Sequence, residues 1–156
     1  MNDLSSKGYF GIGIDHPTTA HNMGTLWRSA AILGASFIFT IDKQYKEQST
    51  DVLQSWKYIP LYNYKDFDHF YGSMPRDCFL VGVEMLEKST PIVAYEHPER
   101  CIYLLGAENN GLSAPALKRC HHYVQLPGNQ SLNVASAGSI VMYDRLSKGH
   151  VRHQQV

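Results

Sequence analysis

Short apolar runs alternate along the chain with stretches whose apolar positions recur every three or four residues. Tyr9-Phe10-Gly11-Ile12-Gly13-Ile14 is closed by Asp15-His16-Pro17, the pattern of a buried strand that ends in a loop. Met23, Leu26, Trp27, Ala30 and Ala31 then fall on one helical face, with Asn22 placed to cap the start and Gly34 to stop the end. Ser36-Phe37-Ile38-Phe39-Thr40-Ile41 repeats the strand signal, and residues 51–58 form a helix candidate before Pro60. Cys78-Phe79-Leu80-Val81-Gly82-Val83 and Cys101-Ile102-Tyr103-Leu104-Leu105-Gly106 read as central strands. Ser113 is placed to cap a helix with Pro115 in its first turn, and Tyr123-Val124-Gln125-Leu126 is the last strand candidate. A helix over residues 132–147 follows, small or apolar at Ala135, Ala137, Gly138, Ile140, Val141 and Met142, and so expected to be buried all round, with Ser131 as its cap.

This alternation predicts one α/β domain with a mostly parallel sheet flanked by helices, residues 1–7 and 149–156 forming flexible tails. Ligands in such sheets bind where loops leave the carboxyl ends of the strands, which directs attention to the loops after Ile14, Val83, Gly106 and Leu126.

Composition narrows the function classes. The 156 residues are 44% hydrophobic and 18% charged, which excludes a disordered or fibrous chain. Fourteen Lys+Arg balance fourteen Asp+Glu, so a polyanion must be held by a local patch. Arg145, Lys148, His150, Arg152 and His153 give a basic C-terminal end able to meet phosphates, although a solvated, frayed tail is the favoured reading of them. Tyr143 is assigned to core packing rather than to base stacking. Cys78, Cys101 and Cys120 are odd in number and far apart, so they read as buried thiols of a reducing, cytoplasmic setting. No signal peptide or membrane span is expected, because the N-terminus is polar and the long uncharged stretch around Pro127-Gly128-Asn129 is repeatedly broken. His121-His122 point to opposite faces of a strand, and no metal site is expected. Gly11-Ile12-Gly13 lacks the third glycine of a dinucleotide fingerprint.

Three segments carry candidate chemistry. In Asn22-x-Gly24-x-x-x-Arg28-Ser29-Ala30, Gly24 and Arg28 lie four apart on one helical line, leaving room beside a guanidinium suited to bidentate phosphate binding. In Gly106-x-Glu108-x-x-Gly111-Leu112, two glycines bracket a carboxylate directly after a core strand. In Leu126-Pro127 followed by Ser131-Leu132-Asn133-Val134-Ala135, a strand end, a loop and a helix start succeed one another.

In order and spacing these segments resemble the three motifs of the SpoU (TrmH-like) branch of the SPOUT RNA methyltransferases, in a minimal single-domain form that covers nearly the whole chain. Gly128 and the short loop around it depart from the bulkier residue many relatives carry. The resemblance implies a deep C-terminal trefoil knot, S-adenosylmethionine as cofactor, and a homodimer with each site at the subunit interface. It implies methyl transfer to a ribose 2′-hydroxyl of RNA, with tRNA as the expected substrate. The catalytic set carried over is Asn22, Arg28, Glu108, Ser131 and Asn133. The cofactor set is Gly82, Val83, Leu105, Gly106, Gly111, Gln125, Leu126, Ser131 and Leu132.

Some family proposals make this arginine a general base, but a guanidinium with a pKa above about 12 is almost never deprotonated in a protein. Stabilisation of the developing alkoxide by Arg28, with a phosphate or water taking the proton, fits the chemistry equally well. A non-catalytic RNA-binding or cofactor-sensing homologue and a Rossmann-type enzyme are the competing readings.

Overall fold

The computed structural model describes residues 8–44 and 54–149. Strands β1 (Tyr9–Asp15), β2 (Phe37–Ile41), β3 (Leu61–Tyr64), β4 (Phe79–Val83), β5 (Thr90–Pro91), β6 (Arg100–Leu105) and β7 (His122–Gln125) form one sheet in the order β3-β2-β1-β6-β4-β7-β5. Every pairing is parallel. Helices α1 (Ala20–Leu33) and α4 (Val134–Lys148) cover one face, while α2 (Phe67–Ser73) and α3 (Ala114–Arg119) pack on the other.

The alternation of β1 sorts its side chains between these layers. Phe10, Ile12 and Ile14 join the core beneath α1 and α4. Gly11 and Gly13 face the other layer, where a Cβ at either would fall 2.4 Å from the ring of Phe37 or 2.6 Å from that of Phe39. The Gly-x-Gly of β1 therefore seats two aromatic rings.

The five predicted strands all form. β3 and β5 escape prediction because both are edge strands, the first half-exposed and the second only two residues long, so neither needs an apolar run. The short α2 rests on two buried anchors, Phe67 and Phe70, and on Asp66, whose carboxylate accepts the His69 N–H at 2.8 Å. Part of the helix expected over residues 51–58 lies outside the described residues; within them Ser55–Lys57 makes one 3₁₀ turn. The expected tails lie outside the described residues, apart from Gly149.

Three helix-end assignments change. α1 begins at Ala20 with Thr19 at its N-cap, so Asn22 sits inside the helix. Gly34 does end α1, at φ 88° with its N–H on the Ala30 carbonyl. Ser113 stands at the N-cap of α3 without a side-chain capping bond. α4 is capped by Asn133 and not by Ser131. Nor is α4 buried all round: Ile140, Tyr143 and Leu146 are 41%, 65% and 37% exposed. Its other face packs closely on α1. A Cβ on Gly138 would fall 2.5 Å from Leu26, and the Ser139 hydroxyl donates to that of Ser29 at 2.9 Å.

Arg145 leaves the basic C-terminal end altogether. It is 1% exposed on the buried face of α4, donating to the carbonyls of Pro98 (2.6 Å) and Glu99 (2.8 Å) and lying over the Phe10 ring. Lys148 is tied to Asp144 at 2.8 Å and to the Ile92 carbonyl. His150, Arg152 and His153 lie outside the described residues.

Candidate functional site

A cavity of about 360 Å³ opens at the carboxyl ends of β4, β6 and β7. Its apolar wall comes from Val83, Leu105, Leu126, Leu132 and, on α4, Val134 and Ala137. Its polar rim comes from Glu84, Glu108, Asn109, Gln125 and Ser131.

The loop after β6 owes its shape to two glycines. Ala107 and Gly111 exchange backbone hydrogen bonds at 3.1 and 2.9 Å, and a Cβ on Gly106 would fall 2.5 Å from the Gly111 backbone. Gly111 holds φ 64°, a left-handed conformation that suits glycine. The turn projects Glu108 toward α1 and the start of α4.

There Glu108 meets two asparagines. The Asn22 amide donates to Glu108 Oε1 at 2.5 Å and accepts from Asn133 Nδ2 at 2.9 Å. Asn133 Nδ2 also donates to Glu108 Oε1 at 3.2 Å, while Asn133 Oδ1 accepts the N–H groups of Ala135 (3.0 Å) and Ser136 (3.2 Å). One asparagine thus caps α4 and locks the cluster. Asn22 is unavailable as a cap because both ends of its amide are engaged here. Neutral donors hold Glu108 in place while leaving its charge uncompensated by a cation within the cluster.

Sequence reasoning missed Glu84. It follows β4 directly and stands on the cavity rim, Oε2 accepting the Leu112 N–H at 2.9 Å and Oε1 the Met85 N–H at 3.1 Å. A Cβ on Gly111 would fall 2.3 Å from Glu84 Oε2, so this glycine also makes room for a carboxylate. The usable signal was an acidic residue at the first position after a central strand, in a loop already singled out.

Asp15 also went unassigned. At the end of β1 it is fully buried, accepts the Ser113 N–H at 2.8 Å and holds His16 Nδ1 at 2.6 Å, tying the first loop to the loop after β6.

Of the expected catalytic residues the structure brings Asn22, Glu108 and Asn133 together. Ser131 lines the cavity next to them. Arg28 is exposed on α1, outside the cavity, and its guanidinium makes no hydrogen bond or ion pair to any other described residue. Of the expected cofactor residues Val83, Leu105, Gly106, Gly111, Gln125, Leu126, Ser131 and Leu132 line the cavity. Gly82 does not: its open side faces Leu112, Cys120 and Tyr123 in the layer beneath. Among the described residues no group of three or more His, Cys, Asp or Glu is arranged to hold a metal ion. His121 Nδ1 accepts the Leu80 N–H at 2.8 Å, and His122 pairs with the Tyr95 hydroxyl at 2.9 Å.

The model of the SpoU rRNA Methylase family matches residues 10–143. The chain belongs to this family. The SpoU-family relatives it resembles include the mouse tRNA (guanosine(18)-2′-O)-methyltransferase TARBP1, 24% identical over 84% of this chain and 9% of the relative. Another is the 23S rRNA (guanosine-2′-O-)-methyltransferase RlmB of Acinetobacter baylyi, 26% identical over 85% of this chain and 57% of the relative. The chain thus spans about half of RlmB and a small fraction of TARBP1. Among solved structures, the SpoU methyltransferase AviRb of Streptomyces viridochromogenes, in complex with AdoMet, superposes with a TM-score of 0.78 at 22% identity, covering 94% of this chain and 64% of AviRb. That likeness establishes a SpoU methyltransferase fold for the parallel sheet and its helices.

Proposed function

We propose that this SpoU-family chain transfers a methyl group from S-adenosylmethionine to a ribose 2′-hydroxyl of RNA, with tRNA as substrate, and works as a homodimer in the cytoplasm. The observation that carries the reading is the Asn22–Glu108–Asn133 cluster at the mouth of the cavity. It draws one polar residue from each of three segments, with 86 residues separating the first pair and 111 separating Asn22 from Asn133. Capping α4 explains one of these side chains; nothing structural requires all three to converge beside an open cavity.

The cavity suits the cofactor. Its volume of about 360 Å³ lies within the range of about 300–1,000 Å³ usual for small-molecule sites. Its apolar wall accepts a flat base, and the Glu108 carboxylate complements the positive charge of the sulfonium. S-adenosylmethionine, when bound, supplies a methyl group on a positively charged sulfur. Asn22 and Asn133 keep Glu108 in one orientation, so the acceptor side of the cavity is organised before RNA arrives. Arg28 clamps a phosphate of the target nucleotide and stabilises the negative charge that develops on the 2′-oxygen. Because the guanidinium stays protonated, the 2′-hydroxyl proton passes to a phosphate oxygen or to water.

Dimerisation gives Arg28 its place. One helical turn beyond it Ile32 is 64% exposed, and on the adjoining α4 Ile140 and Tyr143 are exposed as well, making an apolar patch beside the guanidinium. A second subunit covers this patch and places its Arg28 near the cluster of the first. Tyr143 then packs in the dimer core, and the segment into α4 is threaded as the trefoil knot. Among the described residues no helix is long and apolar enough to cross a membrane. Burial pushes the thiols of Cys101 and Cys120 up to about 11 and about 12, keeping both in the protonated form suited to a reducing compartment.

Purified protein, labelled S-adenosylmethionine and total RNA from a strain lacking the gene test this reading. Label recovered in a 2′-O-methylnucleoside after digestion is the expected result. Label in a methylated base, or none despite measured cofactor binding, contradicts it.

A further inference from the structure

Glu84 is the one cavity carboxylate that the three motifs leave unexplained. We propose that it is a cofactor-specificity residue, its two oxygens accepting the vicinal hydroxyls of the cofactor ribose; this rests on the S-adenosylmethionine reading above. A carboxylate offers about four lone-pair sites, and the Leu112 and Met85 N–H groups take one on each oxygen. No described residue pairs Glu84 with a cation, so the remaining sites on the cavity rim are open to donors from a ligand. A vicinal diol supplies two O–H donors at a spacing that one carboxylate spans, the use to which an acidic residue is put in nucleotide-binding α/β folds.

Position favours the ribose over the ammonium of the methionine tail. The reacting methyl must face Asn22, Glu108 and Asn133, which stand over β1 and β6. Glu84 rises from β4, the next strand across, beyond the hydrogen-bonded Ala107–Gly111 turn. Gly111 keeps that approach open, because any side chain there would collide with Glu84 Oε2.

Calorimetric titration separates this role from that of a loop strut. Wild-type protein should bind S-adenosylhomocysteine about 10- to 100-fold more tightly than its 2′-deoxy analogue, the usual effect of one hydrogen bond to a charged acceptor. In Glu84→Ala and Glu84→Gln that ratio should fall to within about threefold. The amide oxygen introduced by Glu84→Gln still accepts the Leu112 N–H, so this variant keeps the test valid if Glu84→Ala folds poorly. A strut would weaken both ligands equally, and an undiminished ratio in the variants overturns the assignment. So does a Glu84→Gln loss that disappears with 5′-methylthioadenosine, which keeps the diol but lacks the ammonium. Failure of wild-type protein to bind S-adenosylhomocysteine at all overturns both this assignment and the cofactor reading, and so stands apart from a failure confined to Glu84.

Discussion

The two ends of the sheet treat polar side chains in opposite ways. At the amino end, beneath β1 and β6, Arg145 is sealed in and linked through a closed chain of partners. Its guanidinium donates to the Pro98 and Glu99 carbonyls and to the Tyr103 hydroxyl. That hydroxyl meets His97 Nδ1 at 2.6 Å, and His97 Nε2 meets Asp144 at 2.8 Å. A neutral His97 with its proton on Nε2 satisfies every link: Tyr103 donates to Nδ1, and Nε2 donates to Asp144. At the carboxyl end Glu108, Ser131, Asn133 and Arg28 are exposed, and Glu108 and Ser131 line the cavity beside Asn133. A polar group buried among its own partners stabilises the fold, whereas one ordered yet open at a cavity mouth is available to a ligand.

Substitution at the closed end should show up as lost stability and little else. Arg145→Met strands two buried carbonyls and the Tyr103 hydroxyl, and should cost about 3–5 kcal/mol in urea unfolding. A loss below about 1 kcal/mol would mean that the closed end is less tightly coupled than its geometry shows. Asn133→Ala sits where the two roles overlap. It removes the cap of α4 and should cost about 1–2 kcal/mol, while methyl transfer falls by more than that destabilisation explains. The smallest effect is the pH dependence from His97. Burial lowers its pKa below the ordinary 6.5, outweighing the opposite pull of Asp144. As pH falls through 6.5 the unfolded chain takes up this proton before the folded one does, so the stability is full above that value and is lost as pH drops toward the lowered folded-state pKa. Burial acts in the same direction on His121. His97→Gln should flatten the acid limb of a stability–pH curve, and an unchanged limb would assign it to other groups.

The central strands were legible because their residues are buried on both faces and read as unbroken apolar runs. β3 and β5 were not, because an edge needs no such run. Asn22 stands inside the helix and not at its start: the three-residue offset to Thr19 follows from the engagement of its amide with partners 86 and 111 residues away, which no local pattern records. Arg145 was grouped with the basic tail although Val134, Gly138, Val141, Met142 and Arg145 recur at helical spacing on the buried face. Glu84 lay in a loop the strand-end rule had already marked, but its chemistry depends on a partner loop that folds back across Gly111.

The contrast between the two ends turns on Arg28, the exposed guanidinium whose proposed partners are an RNA phosphate and the site of a second subunit. Cofactor affinity and methyl transfer should therefore be measured side by side for wild-type protein and Arg28→Ala. The account predicts unchanged unfolding stability, cofactor affinity within about twofold of wild type and transfer reduced about 100-fold or more, the usual effect of removing a group that stabilises developing charge. Equal loss of cofactor binding and transfer, or full transfer without the guanidinium, would contradict it.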